Sequence, residues 1–270
     1  MKQAINEIEV KSVLQKSNLP DADYCINPYT GCIHSCIYCY ARFMRRFTGH
    51  INEKWGEFLD VKINAPDILR NELKRKKIKK LVFLGSVTDI YQPAEKKYGI
   101  TREILQILQE HEVSIAFQTK SDIVLRDLDI LKKFSTCDVG FTIITMDENV
   151  KKAFEPYSSP ISKRMNALKI LHSEGIGTYV FIGPIFPHLT NIDAIIKSVK
   201  KYSDGIMAEI LNIRCGNWDD IQKVLQDHFP DLLPGYRDLV RNTKYWDEVE
   251  DKVKSLCQNY NLPLFGFYRH

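Results

Sequence analysis

From residue 81 onward the apolar positions come in short continuous runs, separated by longer stretches where they recur every three or four residues. Leu81-Val82-Phe83-Leu84 is one such run, and in Thr101 to Glu112 the residues Ile104, Leu105 and Leu108 share a helical face. The alternation continues with Val113 to Phe117 as a strand and Asp122 to Phe134 as a helix, then Val139 to Ile144 and Ser162 to Glu174. Thr178 to Ile182, Asn191 to Tyr202 and Ile206 to Leu211 follow as strand, helix and strand. Gly175 suits a helix C-cap, and Pro66 suits the first turn of an earlier helix ending near Lys77. Tyr24 to Asn27 reads as a first strand. Six strands alternating with helices predict a parallel sheet with right-handed crossovers, and uninterrupted apolar runs predict strands covered on both faces. The expected fold class is α/β, a partial (β/α)6 barrel of the TIM type with a carboxyl-terminal helical extension.

The flanks are less periodic. Residues 1–22 read as a polar surface lead-in, residues 23–215 as the barrel and residues 216–270 as a helical cap. Tyr40 to Phe47 reads as a helix carrying Arg42, Arg45 and Arg46. Within the cap, Trp218 to Asn261 reads as two helices broken by Pro230 and Pro234, and residues 263–268 as a final strand or a plug. Each barrel strand ends in polar residues or glycine: Gly85 to Asp89, Gln118 to Ser121, Thr142 and Thr145, Gly183 to His188, and Glu209 with Asn212. Active sites of such barrels gather at the carboxyl ends of the strands, so these endings predict one polar chamber.

The chamber's chemistry begins in the loop after the first strand. Cys32, Cys36 and Cys39 place three thiols within eight residues, and Asn27-Pro28 and Thr30-Gly31 mark a loop that lets them converge. Thiolates are soft ligands that select zinc or iron–sulfur clusters. A closed zinc site would need a fourth ligand, from Cys25 or His34, and would make the protein a zinc-stabilised binding module. A ferredoxin-type electron carrier would need four cysteines per cluster. Three alone would leave one iron of a cubane open to an outside ligand. The chain's seven cysteines are odd in number and unevenly spaced, which argues against a disulfide framework. Cys25, Cys137, Cys215 and Cys257 read by default as small buried hydrophobes.

The CxxxCxxC spacing with Tyr38 before the last cysteine resembles the signature of the radical S-adenosylmethionine (SAM) superfamily. The wider stretch from Asn27 to Arg42, and the block Thr88 to Glu95 with Thr101-Arg102, resemble its spore photoproduct lyase-like branch. The resemblance is specific over residues 25 to about 130, fades to fold level by 212, and does not extend beyond Trp218. It implies a [4Fe–4S] cluster on Cys32, Cys36 and Cys39, with SAM chelating the open iron. In that superfamily one electron from the cluster cleaves SAM to methionine and a 5′-deoxyadenosyl radical. It also implies that Lys120 lies near the SAM methionine group, where an ammonium can neutralise a carboxylate. Tyr38 is expected beside the adenine, with Ser86, Thr88, Ser121, Thr142, Gly183 and Glu209 as further cofactor-binding candidates. Ser121 equally suits the N-cap of the next helix, and Gly183 a plain turn. In the branch a donor cysteine precedes a Thr-Ser-Asp segment after the second strand. Here that position reads as Ser86, which leaves Cys215 as the candidate hydrogen-atom donor.

Composition changes this picture little. The chain has 270 residues, 44% hydrophobic and 27% charged, as expected of a globular protein that buries a core without staples. A net charge of +4 is no nucleic-acid footprint, so a nucleic-acid partner is not indicated by charge. The Lys74 to Lys80 run reads as a solvated helix terminus, where cations suit the dipole. The amino terminus lacks a signal-peptide core and no apolar run approaches spanning length, so a cytoplasmic protein without membrane contact is expected. The partners expected are an unidentified substrate and an external electron donor such as flavodoxin or ferredoxin. DNA photoproduct (thymine dimer) repair stands as the alternative activity.

Overall fold

The six expected strands form one sheet in chain order. The structure, a computed structural model, describes residues 4–19 and 21–270. Two strands lie in the segment read as a lead-in: β1 (Ala4–Ile8) and β2 (Gln15–Lys16). They are followed by β3 (Ala22–Ile26), β4 (Tyr29–Thr30), β5 (Phe58–Lys62), β6 (Leu81–Leu84) and β7 (Ser114–Thr119). Next come β8 (Cys137–Thr142), β9 (Gly177–Ile185), β10 (Gly205–Ile210) and β11 (Leu264–Tyr268). The main sheet has the order β11-β10-β9-β8-β7-β6-β3-β2, parallel except at the β2 edge. From β3 to β11 the order never reverses. Right-handed crossovers that always step the same way put their helices on one face, the geometry of a barrel wall rather than of a doubly wound sheet.

The helices between the strands are α1 (Ala65–Leu73), α2 (Glu95–Tyr98), α3 (Ile100–Glu110), α4 (Leu128–Leu131), α5 (Glu148–Phe154), α6 (Ile161–Ser173) and α7 (Ile192–Val199). Their apolar faces, such as Ile104, Leu105 and Leu108 of α3 and Leu168 and Leu171 of α6, join the strand residues Val82, Ile115, Val139, Val180 and Ile206 in one core. Inside the barrel the Tyr179 ring lies against Gly140, where an added Cβ would sit 2.3 Å from it.

Several elements depart from the sequence reading. The segment read as helix 122–134 begins as a 3-10 turn (Asp122–Asp127), and Tyr40–Arg46 is also 3-10. Three α-helices rather than two fill the tail: α8 (Trp218–His228), α9 (Tyr236–Arg241) and α10 (Thr243–Asn259), with a 3-10 turn at Pro230–Leu232. Residues 264–268 extend the sheet as a strand parallel to β10 and do not form a plug. A small second sheet, β1-β5-β4, was not anticipated. β1 is largely exposed, so it carries no alternating apolar signal; it is held by its register with β5 and by Asn6 Nδ2 donating to Asp60 Oδ1 (3.1 Å). Among the described residues no helix is long and apolar enough to cross a membrane.

Candidate active site

The loop after β3 is held from three sides. Asn27 turns back to the loop after β6, donating from Nδ2 to Ser86 Oγ (3.1 Å) and accepting from Val87 N (3.0 Å). Gly31 has φ +90°, and a Cβ there would lie 2.6 Å from the Phe58 carbonyl oxygen, so only glycine lets β4 pass β5 this closely. The Gly31 carbonyl accepts from Thr88 Oγ1 (2.6 Å), and buried Gln92 donates to Thr88 Oγ1 (3.0 Å) while accepting from Ile33 N (2.9 Å). On the far side, Arg42 donates to the carbonyls of Ile37 (2.6 Å), Cys39 (3.2 Å) and Gly216 (2.9 Å) and to Asp220 (2.8 Å). Arg42 is thus a clamp rather than a member of an exposed face.

The clamped loop gathers the three thiols. Cys32 and Cys36 are buried and Cys39 half-buried, all as free cysteines. Burial pushes the Cys36 thiol well up; Lys120 works against this, and Glu155, Cys32 and Cys39 add to it. Cys39 is pushed up to about 11 by burial and by Cys32, with Lys120 opposing. The thiols therefore share one electrostatic environment. Among the described residues no three His, Cys, Asp or Glu side chains surround a single point as ligands of one metal ion. Three mutually interacting thiols, two buried and one half-buried, beside a cation suit a multi-atom cluster, which would stabilise their deprotonated form.

Lys120 stands at the end of β7 with Nζ 5.7 Å from the centre of the Tyr38 ring. Burial disfavours its charge, but Cys36, Glu155, Asp89 and Cys39 outweigh that and hold the ammonium protonated beyond its ordinary range. Asp89, which the sequence analysis quoted only within a motif, organises this corner. It accepts from Tyr91 N (2.9 Å), Thr119 Oγ1 (2.8 Å) and Lys120 N (2.8 Å). Its carboxyl is held down to about 2: burial opposes this, and buried His34, whose Nδ1 is 3.3 Å away, drives it. That His34 contact is an ion pair without hydrogen-bond geometry.

A second polar network was missed entirely. Tyr38 donates its hydroxyl to buried Glu155, which pairs with Arg164 (2.6 Å). Arg164, itself 1% exposed, also reaches the carbonyls of Ser159 (2.9 Å) and Thr142 (2.9 Å). Buried Asn217 donates to the Tyr38 carbonyl (3.0 Å) and the Asn212 carbonyl (2.9 Å), tying the segment after β10 to the cysteine loop. Nothing in Glu155-Pro156-Tyr157 or Gly216-Asn217 marks these roles; the partner contacts span 117 and 179 residues of chain.

The other candidates fall around the same rim. Ser86 spends its hydroxyl on Asn27 and lends its carbonyl to the Tyr40 hydroxyl. Thr88 is engaged in the Gly31 clamp. Ser121 caps the following 3-10 turn, accepting from Ile123 N (3.2 Å). The buried Thr142 hydroxyl makes no hydrogen bond among the described residues. At Gly183 an added Cβ would meet the Phe181 ring at 2.1 Å, so this glycine is accounted for by a packed ring rather than by an open cradle. Glu209 pairs with His270 (2.8 Å). Burial raises its pKa, while His270 and Lys120 draw it down. Cys215 is half-buried, pushed up by burial, with Arg42 opposing and Glu209 adding.

Comparison with known proteins adds the family. The model of the radical SAM superfamily matches residues 26–200. The chain belongs to the radical SAM superfamily. Its cofactors are a [4Fe–4S] cluster and SAM, which decides between cluster and zinc for this member. An uncharacterized protein of Methanocaldococcus jannaschii is 37% identical over 250 residues, covering 93% of each chain. A radical SAM Nα-GlyT isomerase of Pseudomonas phage M6 is 21% identical over 62% of this chain and 34% of its own. Spore photoproduct lyase complexed with dinucleoside spore photoproduct has the same fold, with a TM-score of 0.71 at 15% identity over 98% of this chain and 82% of that one. Like other superfamily members, this one is a radical SAM enzyme that acts on a substrate with an electron donor.

Proposed function

We propose that this radical SAM enzyme abstracts a hydrogen atom from a C–H bond of a substrate other than spore photoproduct, within the barrel of residues 23–215. The observation that carries the site is the convergence of Cys32, Cys36 and half-buried Cys39 with Lys120 at the strand ends. Cys32, Cys36 and Cys39 would hold the cluster. Lys120 would neutralise the SAM carboxylate, its side chain positioned by the Lys120 N–H bond to Asp89. Tyr38, anchored on Glu155, forms the wall facing Lys120; Thr142, with an unspent hydroxyl, and Glu209 are the remaining polar groups offered to SAM or substrate. Ser86, Thr88 and Ser121 act by shaping the loops, their hydroxyls being engaged with protein. When bound, the cofactor pair supplies a carbon-centred radical able to break unactivated C–H bonds, and the protein supplies position and exclusion of water. The electron would come from an external donor such as flavodoxin or ferredoxin.

Ser86 speaks against photoproduct repair. Returning a hydrogen to a product radical needs a thiol, because an O–H bond is a far poorer hydrogen-atom donor to carbon. Ser86 stands after the second barrel strand, and its hydroxyl is bonded to Asn27. Cys215 supports repair of a DNA lesion as the second reading, since its thiol interacts with Glu209 and Arg42 at the rim.

Anaerobic reconstitution tests both levels. The protein should take up about four irons per chain, as a cubane requires, and release 5′-deoxyadenosine with SAM and reductant. Alanine at Cys32, Cys36 or Cys39 should abolish the cluster, whereas Cys137→Ala should keep it. Stoichiometric zinc without iron would sink the cluster assignment. Catalytic return of thymidines from dinucleoside spore photoproduct would overturn the substrate reading, and its loss in Cys215→Ala would identify the thiol.

A further inference from the structure

Beyond the end of β10 the chain encloses a cavity of about 220 Å³ between the loop that follows the strand, the end of α9 and the start of α10. Asn212, Arg214, Arg241, Thr243, Arg269 and His270 supply its polar wall, and none of the described aspartates or glutamates lines it. The basic groups are not equivalent. Arg269 is already held by Asp247 (2.6 Å) and Glu250 (2.9 Å), and His270 by Glu209 (2.8 Å). The guanidinium groups of Arg214 and Arg241 have no hydrogen bond or ion pair among the described residues. Asn212 accepts from Arg214 N (2.8 Å) through Oδ1, which turns the loop and leaves the Nδ2 hydrogens unspent, and the Thr243 hydroxyl is likewise unengaged.

A single exposed arginine is satisfied by water and calls for no ligand. Two unpaired guanidinium groups from separate elements, facing one concave space that lacks carboxylates, create a positive potential focused by its walls. A carboxylate offers two coplanar oxygens, which one guanidinium fork occupies. A phosphate offers more oxygens in a tetrahedral array and a second negative charge, so it can take both forks together with the Thr243 hydroxyl and the Asn212 amide.

The cavity adjoins the chamber. Glu209 pairs with His270 of the cavity wall and also feels the charge of Lys120, which links the cavity to the cofactor end of the barrel. We propose that this cavity binds a phosphate group carried by the substrate, placing the bond to be broken over the strand ends. That the phosphate belongs to the substrate rests on the barrel mouth being the reaction chamber; phosphate binding itself does not.

The test titrates reconstituted full-length protein with inorganic phosphate calorimetrically at constant ionic strength, with acetate in parallel. Saturable phosphate binding is expected, with acetate weaker by about tenfold or more. The Arg214→Ala/Arg241→Ala double variant, changed only at exposed side chains, should lose about tenfold or more in phosphate affinity, a free-energy change easily read by titration. Absence of saturable binding, equal affinity for acetate, or an unchanged double variant would each overturn the proposal. Assaying SAM cleavage on the same wild-type preparation separates the two ideas. Phosphate binding without cleavage would leave the subsite standing and remove the radical reading, and cleavage without phosphate binding would do the reverse.

Discussion

Asp89 receives hydrogen bonds from Tyr91 N, Thr119 Oγ1 and Lys120 N while its outer oxygen faces His34. Removing the carboxylate strands buried donors that nothing else can satisfy. Asp89→Ala is therefore expected to cost about 3–5 kcal/mol, as for breaking a buried pair, and urea denaturation will read it; a change below about 1 kcal/mol would show that water replaces the carboxylate. Lys120→Ala acts on function instead. Its ammonium acts on both Cys36 and Cys39, the latter also under Arg42, so the variant should keep its iron while SAM affinity falls by about tenfold, the worth of one modest charge contact. Equilibrium binding to the reconstituted variant checks this, and unchanged affinity would remove Lys120 from the site. The cysteines and Lys120 could be picked out from the sequence because their chemistry is visible in residue type and spacing. Asp89, Glu155 and Arg164 could not, because a carboxylate or guanidinium has meaning only through a partner brought in from elsewhere in the chain.

At the scale of elements, the strand ends work because short tethers hold them in register. Glu72, near the end of α1, accepts from Val13 N (2.9 Å), Leu14 N (2.8 Å) and Ser12 Oγ (2.7 Å) and pairs with Lys76 (2.8 Å). It thereby docks the stretch that leads into β2. Burial opposes its charge, yet the hydrogen bonds from Leu14, Lys76, Ser12 and Val13 hold its carboxyl down to about 2. A carboxyl lower in the folded than in the unfolded chain binds its proton more weakly when folded. Its stabilising contribution is therefore complete above the ordinary carboxylate range and lost as pH falls toward 2. Glu72→Gln should cost about 1–3 kcal/mol at neutral pH and flatten the acid limb of stability between about pH 5 and pH 2. Urea midpoints at pH 7 and pH 3 decide this: equal losses at both would assign the effect to shape rather than charge. This tether was invisible in the lead-in, read only as polar surface, because mostly exposed β1 and two-residue β2 carry no periodic signal.

Across the whole molecule, Arg42 and Asn217 join the cysteine loop to the segment after β10, bridging the loops that follow the first and the last of the six expected strands. Arg42 reaches across to Gly216 (2.9 Å) and Asp220 (2.8 Å) while holding the Ile37 (2.6 Å) and Cys39 (3.2 Å) carbonyls of its own loop. Arg42→Ala should leave the core strands protected but raise amide hydrogen exchange across residues 212–220 and hasten iron loss to a chelator. Exchange and iron retention matching wild type would show that Asn217 alone is enough to hold the seam. The same segment after β10 lines the cavity of Asn212, Arg214 and Arg241, and the Glu209–His270 pair meets it through His270.

The sequence by itself determined the order and type of the barrel elements, since alternating apolar runs and helical faces are local patterns set by which residues must leave water. It also marked the place of the thiolate chemistry, because three thiols fall within eight residues, while the choice of cluster over zinc came with the family. Tertiary structure alone decided the small β1-β5-β4 sheet and the parallel pairing of β11 with β10. It also decided which polar residues face the chamber and which are spent on scaffolding: Thr88 and Ser121 hold loops, and Tyr38 hangs from Glu155. The physical reason is that a hydrogen bond or ion pair belongs to two residues at once: the Ser121 cap, two positions from its partner, shows in the local sequence, whereas the partners of Thr88 and Tyr38 lie 57 and 117 positions away, where no local pattern records them.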